Sequence, residues 1–473
     1  MDMTRNIIPE AVRSIHLIAI CGTGMGALAV LLRDMGYAVT GSDQNVYPPM
    51  STFLEEKGIR LFHGFSPENL SHRPDLVIVG NAVTKDNPES VGVMETGLSF
   101  CSMPQAINRF LAKGKKRLVV TGTHGKTTTA SMLAWVLTSC GLDPSFLIGG
   151  ILKNFQSSAR VGSGPHIVLE GDEYDTAFFD KGPKFLHYQP DVAIMTSIEF
   201  DHADIFRDLD HIREAFHALV SGMGPDKVLV AWDGDQAIDE VIRDARANVV
   251  RYAENGNCQW RLGNDTLEPP WSLFEVLKDG DLFGEFRVRM PGAHNLLNAL
   301  SVVAAADELG ISADVLAKAF ETFEGVRRRQ EVRGIRRGIT VIDDFAHHPT
   351  AVRETIRALR PFYPDGRLIA VFEPRTNSSM RNIFQTEYAA SFAQADIVCI
   401  RKPPLLHKVP EGERFSSQQL VDDLKQQAID AHYFSDTEAI IDFLTAEARS
   451  GDLILVMSNG GFDNIHERLL DIL

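Results

Sequence analysis

Short apolar runs alternate with helix-length stretches along most of this chain. HLIAI leads into a glycine turn, then ALAVLLRDMGY, then AVTGSD, with DLVIVG further on. Apolar run, turn, helical stretch and apolar run is the rhythm of parallel strands joined by crossover helices. It restarts at LVVTGTHGKTTT and continues through HIVLEGDE (166–173), DVAIMTSIEFDH (191–202) and KVLVAW (227–232). From 251 to 290 it gives way to short polar–apolar alternation. A helix is expected to start near His294, in HNLLNALSVVAAADELG, and to end at Gly310. From GVRRRQEVRG onward, GITVIDDF, RLIAVFEP, ADIVCI and DLILVMSN again alternate with helical segments.

These three blocks predict an α/β protein of three domains, at 1–114, 115–326 and 327–473. AKGKKR, residues 112–117, reads as a polar linker between the first two. The length agrees, since 473 residues exceed one ordinary core and domains of about 100–200 residues are usual. Net charge is −16 with no basic block, which argues against a nucleic-acid partner. No segment approaches about 18 uninterrupted apolar residues, so none is expected to span a membrane. The opening MDMTRNIIPEAVRSIHLIAI has no signal-peptide core. Five scattered cysteines without CxxC spacing fit reduced thiols in a cytoplasmic protein and no cysteine-type zinc site.

The strongest chemical signal is TGTHGKTTT, between an apolar run and a helical pattern. Gly122 and Gly125 free backbone N–H groups to face phosphate, Lys126 offers a point charge, and Thr127 stands where a hydroxyl would hold Mg²⁺. The common phosphate loop has a glycine five places before its Gly-Lys pair, where Val120 stands here. Glu170 ends the next apolar run, with Asp172, Glu173 and Asp175 behind it, and is read as a Mg²⁺ ligand rather than an acidic surface turn. Asp201, His202 and Asp204 end another run and suit a second metal. In HNLLN, Asn295 and Asn298 could cap a helix or read an adenine edge. Arg327, Arg328 and Arg329 are either a solvated face or phosphate-facing charge. Asp343, Asp344, His347 and His348 follow a strand and are unassigned on their own.

A second glycine turn, CGTGMG, brings Gly22, Gly24 and Gly26 between a strand and a helix, and Asp43 ends the following strand. That context suits a diphosphate at a helix N-terminus with an acid on a ribose hydroxyl. The third glycine is one place early for GxGxxG. NAD(P) and a tight turn with no ligand are the alternatives; an NAD(P)-dependent dehydrogenase would rest on this turn and Asp43, but nothing downstream resembles a hydride-transfer site.

Together, TGTHGKTTT (121–129), EGDEYD (170–175), EFDHADIF (199–206), HNLLNA (294–299), GVRRR (325–329) and DDFAHHPT (343–350) resemble the Mur ligase family of ATP-dependent amide-bond ligases. The resemblance implies a Rossmann-like UDP-binding domain, a central P-loop-type ATPase domain and a C-terminal Rossmann-like domain that binds the acceptor. It implies UDP-sugar contacts at Gly22, Thr23, Gly24, Met25, Gly26 and Asp43, and ATP contacts at Gly122, Thr123, His124, Gly125, Lys126, Thr127 and Thr128. Asn295 would meet adenine; Arg329, Asp344 and His348 would close on phosphate and ribose. Lys126, Glu170 and His202 would be catalytic, with two Mg²⁺ ions on Thr127, Glu170 and His202. Arg375 and Arg381 would grip peptide carboxylates.

GSDQNVYPPMS (41–51), EGDEYDTAFFDKGPKF (170–185), EFDHADIF (199–206) and MSNGGFDNIHERLL look like the member that joins the tripeptide L-alanyl-γ-D-glutamyl-meso-diaminopimelate to UDP-N-acetylmuramate in peptidoglycan recycling. The alternative is the member that adds L-alanine. A folylpolyglutamate-type synthetase would lack the UDP domain, and a non-catalytic module would release no ADP. A lysine that some members carbamylate is absent, and His217 falls about where it would be. A monomer or weak homodimer is expected.

Overall fold

A computed structural model describes residues 3–47 and 50–473, so Pro48 and Pro49 of GSDQNVYPPMS lie outside the described residues. The chain divides into two compact units. The first holds 1–198, 210–252 and 301–315; the second holds 199–209, 253–300 and 316–473.

In the first unit, a parallel sheet runs in the order Arg60–His63, Ala38–Asp43, Ser14–Ile18, Leu76–Val79, Phe100–Ser102. Ile15, Leu17 and Ile18 are fully buried, as expected of a central strand covered on both faces. The apolar run continues to Ile20, but the strand stops at Ile18 because Ala19 turns the backbone to φ 64°. Strand order reverses beside Ser14–Ile18, which opens a crevice at the carboxyl ends of the strands.

The same unit carries the strands Asn248–Ala253, Val228–Trp232, Val192–Met195, Lys116–Thr121, His166–Glu170, Ser145–Leu152 and Ser157–Arg160, adjacent in that order. Lys116–Thr121 is central, with Thr121 beside Met195 and Val120 beside Glu170. The last two residues of the expected polar linker are therefore strand: Lys116 and Arg117 pair with His166 and Ile167. Helix Lys126–Ser139 follows the glycine loop and is buried along most of its length.

In the second unit, the alternating stretch forms an antiparallel meander of Trp260–Glu268, Trp271–Lys278 and Asp281–Val288. Its middle strand buries Ser272, Phe274 and Val276, the period-two signature of a half-covered sheet. Helix Ala293–Asp307 starts one residue before His294, and Gly310 at φ 76° donates its N–H to Asp307 O at 2.8 Å, closing the helix. The last sheet runs Glu331–Arg336, Ile339–Asp344, Leu453–Met457, Leu368–Phe372, Ile397–Arg401, Asp430–Phe434. Its first pair is antiparallel and the rest parallel. Phe372, Tyr388 and Phe392 pack under one face, and Val371, Ile440 and Leu469 under the other. This is the α/β architecture that the alternation implied. Among the described residues, no helix is long and apolar enough to cross a membrane.

Candidate functional site

The glycine loop hangs between two strand ends. Gly122 sits at φ 125°, and a Cβ there would lie 2.3 Å from Thr196 Oγ1 and 2.9 Å from Ser197 N. Only glycine fits that close approach. The N–H of Thr123 donates to Ser197 O at 2.9 Å, and that of His124 to Ser197 Oγ at 3.0 Å. These two donors, expected to face phosphate, are instead used to fasten the loop to the neighbouring strand end. Gly125, at φ 79°, caps helix Lys126–Ser139 and gives it no side-chain cap. The first-turn N–H groups of Lys126, Thr127 and Thr128 stand at the positive end of the helix dipole, the end of a helix that favours anions.

Lys126 turns back into the loop. Its Nζ donates to Gly122 O at 2.6 Å, Thr123 O at 3.1 Å and Glu173 Oε1 at 2.9 Å. Burial works against its charge, but Glu173, then Asp172 and Glu170, hold the ammonium above its ordinary range. Thr127 Oγ1 donates to Glu170 Oε1 at 2.9 Å, and Gly149 N–H to Glu170 Oε2 at 2.7 Å. A hydroxyl and a carboxylate side by side are the hard oxygen donors that Mg²⁺ prefers. Asp172 accepts from Lys184 Nζ at 2.8 Å and from Tyr174 N–H at 3.1 Å. Further along the same motif, Phe178 and Phe179 pack on the core of the N-terminal sheet, beside Phe100.

At the other glycine turn, Gly22 precedes helix Thr23–Asp34, which again has no side-chain cap. Asp43 accepts from Cys21 N–H at 2.9 Å and Asn45 N–H at 3.0 Å, so its carboxylate also shapes the turn. A Cβ on Gly26 would lie 2.8 Å from Met50 Sδ and 3.3 Å from Ile20 O, which makes the third glycine a packing position. Burial, then Asp43 and Glu55, push the Cys21 thiol up to about 11, so it stays protonated at neutral pH.

In the second unit, two motifs distant in sequence converge. His348 Nε2 lies 3.2 Å from Phe200 O and its Nδ1 3.7 Å from Glu199 Oε2; Thr350 Oγ1 donates to Glu199 Oε2 at 2.7 Å. His202 sits at φ 54°. Although burial opposes ionisation, His202, His347 and His348 hold the Asp201 carboxyl well below the usual range. His348 also caps helix Pro349–Leu359 through Thr350 N–H. Asp344 is buried and accepts from Gln330 N–H at 2.7 Å and Ala346 N–H at 2.8 Å; burial raises its pKa. Arg329 stacks on the Phe345 ring at 4.8 Å. Arg328 instead ties Ser458 O and Gly460 O, both at 2.6 Å. Asn295 does not accept as a cap: its Nδ2 donates to Pro291 O at 2.8 Å and Gln330 Oε1 at 3.0 Å.

Arg375 and Arg381 have different settings. Arg375 follows strand Leu368–Phe372, one-third exposed, with Nη1 3.6 Å from the buried Glu373. Arg381 pairs with Glu413. The charge pattern did not single out Arg401, which bridges Glu373 and Asp463 from the end of strand Ile397–Arg401. The position of CIR at a strand end, mirroring FEPR, was the available signal. Glu173 and Ser197 were likewise not assigned roles, because their contacts to the loop are set by the sheet. In the first unit, His217 lies on the exposed face of helix Leu209–Gly222, with Nδ1 3.4 Å from Ser221 Oγ.

Three family models match in succession: the Mur ligase family catalytic domain at 14–115, the Mur ligase middle domain at 120–306, and the Mur ligase glutamate ligase domain at 327–460. The chain is 42% identical over 460 residues to the UDP-N-acetylmuramate–L-alanyl-γ-D-glutamyl-meso-2,6-diaminoheptandioate ligase of Escherichia coli, covering 97% of each chain. It is 34% identical over 470 residues to the UDP-N-acetylmuramate–L-alanine ligase of Syntrophomonas wolfei, again covering 97% of each. Among solved structures, a murein peptide ligase from Psychrobacter arcticus matches with TM-score 0.72 at 34% identity, covering 98% of both chains. The UDP-N-acetylmuramate-alanine ligase of Thermotoga maritima matches with TM-score 0.81 at 26% identity, covering 97% of this chain and 98% of that one.

Proposed function

The chain belongs to the Mur ligase family of ATP-dependent ligases, and from that premise we propose that it joins L-alanyl-γ-D-glutamyl-meso-diaminopimelate to UDP-N-acetylmuramate. The observation that carries this choice is the 42% identity over nearly the full length to the tripeptide ligase of Escherichia coli, against 34% to the L-alanine ligase of Syntrophomonas wolfei. On this reading, residues 1–114 hold the sugar nucleotide, 115–326 hold ATP, and 327–473 hold the peptide. The protein works in the cytoplasm, where UDP-sugars and ATP are found.

A carboxylate is a poor acyl donor because its leaving group would be oxide. Phosphorylation of the lactyl carboxylate by ATP supplies a phosphate leaving group, and the L-alanine amine of the tripeptide then displaces it. The phosphate loop counters the repulsion between carboxylate and nucleotide. Its first-turn N–H groups and Lys126, freed from the loop carbonyls, hold the phosphates. Thr127 and Glu170 would hold one Mg²⁺ and His202 would serve a second; bound there, the ions neutralise developing charge on phosphate. Gly22, Thr23, Gly24, Met25 and Gly26 present the capless start of helix Thr23–Asp34 to the UDP diphosphate, with Asp43 fixing that turn. Asn295, Arg329, Asp344 and His348 serve nucleotide closure, and Arg375 the peptide carboxylates.

A second reading, with L-alanine as acceptor, is favoured by the higher TM-score, 0.81 against 0.72, of the alanine ligase structure. The two are separated by ADP release and product mass with ATP, Mg²⁺ and UDP-N-acetylmuramate, offering L-alanine in one tube and the tripeptide in another. Turnover with the tripeptide alone is expected. Turnover with L-alanine alone would move the chain to the second reading.

A further inference from the structure

Amide formation needs a proton acceptor that none of these residues supplies. An α-amine with a pKa of about 8 is mostly ammonium at neutral pH and has no lone pair to attack with. The acids after the central strand differ in what holds them. Glu170 takes the Thr127 hydroxyl and Gly149 N–H. Asp172 takes Lys184 and Tyr174 N–H. Asp175 takes Lys181 Nζ at 2.8 Å. None of those partners is the loop lysine that a nucleotide phosphate would draw away. Glu173 is paired with Lys126 itself: both its carboxylate oxygens lie 2.9 Å from Nζ, and the side chain is 3% exposed. Nucleotide phosphates that draw Lys126 away take the counter-ion from this one carboxylate.

We propose that Glu173 is the general base that takes the proton from the acceptor's amine, masked by Lys126 until nucleotide binds. The inference rests on the ligase reading above. The carbonyl carbon of an acyl phosphate is joined through one oxygen to the phosphorus that Lys126 would hold on the ligase reading. An amine reaching that carbon comes beside a carboxylate already at the side of Lys126. Glu173 takes one proton from the ammonium, which frees the nitrogen lone pair; that pair forms the C–N bond and the carbonyl π pair moves to oxygen. The oxyanion pair then re-forms the carbonyl, the C–O bond to phosphate breaks, and phosphate leaves with the electrons of that bond and takes up the second proton from the nitrogen. Glu173 gives its proton to solvent when the site reopens. The pairing also offsets the cost of burying the carboxylate and the ammonium in the nucleotide-free protein.

The experiment uses the full chain and separates the two half-reactions. Hydroxylamine is unprotonated at neutral pH and traps an acyl phosphate as the hydroxamate without help from a base. With ATP, Mg²⁺ and UDP-N-acetylmuramate, Glu173→Gln should form hydroxamate within about threefold of the native rate, while tripeptide ligation falls by about 10²–10³. Its residual ligation should keep rising with pH across the titration of the amine. Glu173→Asp, which keeps a carboxylate, should recover part of the rate. Joint loss of hydroxamate and ligation in a folded Glu173→Gln would place the residue in phosphoryl transfer and overturn the proposal, as would full retention of both. Native protein that forms hydroxamate but no amide with either acceptor would sink the ligase reading itself, a different result from a base that fails alone.

Discussion

Thr127 Oγ1 donates to Glu170 Oε1 at 2.9 Å, joining the start of the phosphate-loop helix to the end of the neighbouring strand. Register explains the meeting, since Val120 pairs with Glu170 and the loop begins just beyond it. If this pair holds Mg²⁺, either partner's loss should weaken the metal without unfolding the loop. Glu170→Gln or Thr127→Val should raise the Mg²⁺ concentration for half-maximal ADP release by about 10–100-fold. A Mg²⁺ titration gives the answer, and an unchanged midpoint in both variants would remove the ion from this place.

Lys126 bonds within its own loop and to Glu173, through Gly122 O, Thr123 O and the carboxylate. Lys126→Ala should therefore lower turnover by about 10³-fold or more, in the range of lost electrostatic stabilisation of a transferring group. UDP-N-acetylmuramate binding, followed by calorimetry, should stay within about twofold. A folded variant that no longer binds the sugar nucleotide would contradict separate sites for it and for ATP.

Gly122 carries a backbone demand and a packing demand together. Its φ is 125°, and an added methyl would lie 2.3 Å from Thr196 Oγ1. Gly122→Ala should cost about 2–4 kcal/mol, from a disfavoured φ and the displaced strand end. Urea unfolding measures it directly. A loss below about 0.5 kcal/mol would mean that the loop relaxes freely.

Local patterns carried much of this. AVTGSD reads as a strand and is one, Ala38–Asp43; the helix after THGK begins at Lys126 as its pattern implies. Gly310 ends its helix because a positive φ is a local demand that glycine meets locally. What was not legible depends on pairing across the chain. Thr123 and His124 give their N–H groups to Ser197, about 70 residues on, only because strand Lys116–Thr121 lies beside Val192–Met195. Glu331–Arg336 escaped notice as a strand because it is an edge strand with a bulge and exposed Val332 and Ile335, so burial imposes no alternation. Arg401 looked like any surface arginine until its strand ended beside Glu373.

Asp343 gives a pH test in the C-terminal sheet. It is 2% exposed, within 3.2 Å of Arg333 Nη1, 3.5 Å of Arg328 Nε and 3.4 Å of His466 Nε2. Burial favours its neutral form, but His466, Arg328 and Arg333 outweigh it and lower the pKa. A depressed folded pKa adds stability above the unfolded value of about 3.9, and that stability is lost as pH falls towards the folded one. Asp343→Asn should cost about 3 kcal/mol at pH 7, as expected when one partner of a buried pair is removed. The gap between variant and native should narrow between about pH 5 and pH 3. Denaturant curves at several pH values would show it, and a gap independent of pH would mean that the charge is not what stabilises.

Arg375 and Arg381 sit six residues apart in sequence and divide one expectation between them. Arg381 already forms an ion pair with Glu413 through its guanidinium, and its backbone bridges to Arg414, so it holds two loops together. Arg375 stands at the carboxyl end of a parallel strand, one-third exposed, and shares Glu373 with the buried Arg401. Strand carboxyl ends are where open α/β sheets take their ligands. A guanidinium held there by a fixed carboxylate is ready to take a second carboxylate from a peptide. Arg375→Ala should raise KM for the tripeptide by about 30-fold or more, the size of a lost charged hydrogen bond of about 2 kcal/mol, with KM for ATP and UDP-N-acetylmuramate within about twofold. Arg381→Ala should move the tripeptide KM by less than about threefold and act on thermal stability instead, by an amount typical of an exposed pair. Steady-state kinetics on the three substrates in turn decide it. Equal effects of the two variants on all three KM values would show that neither arginine touches the peptide.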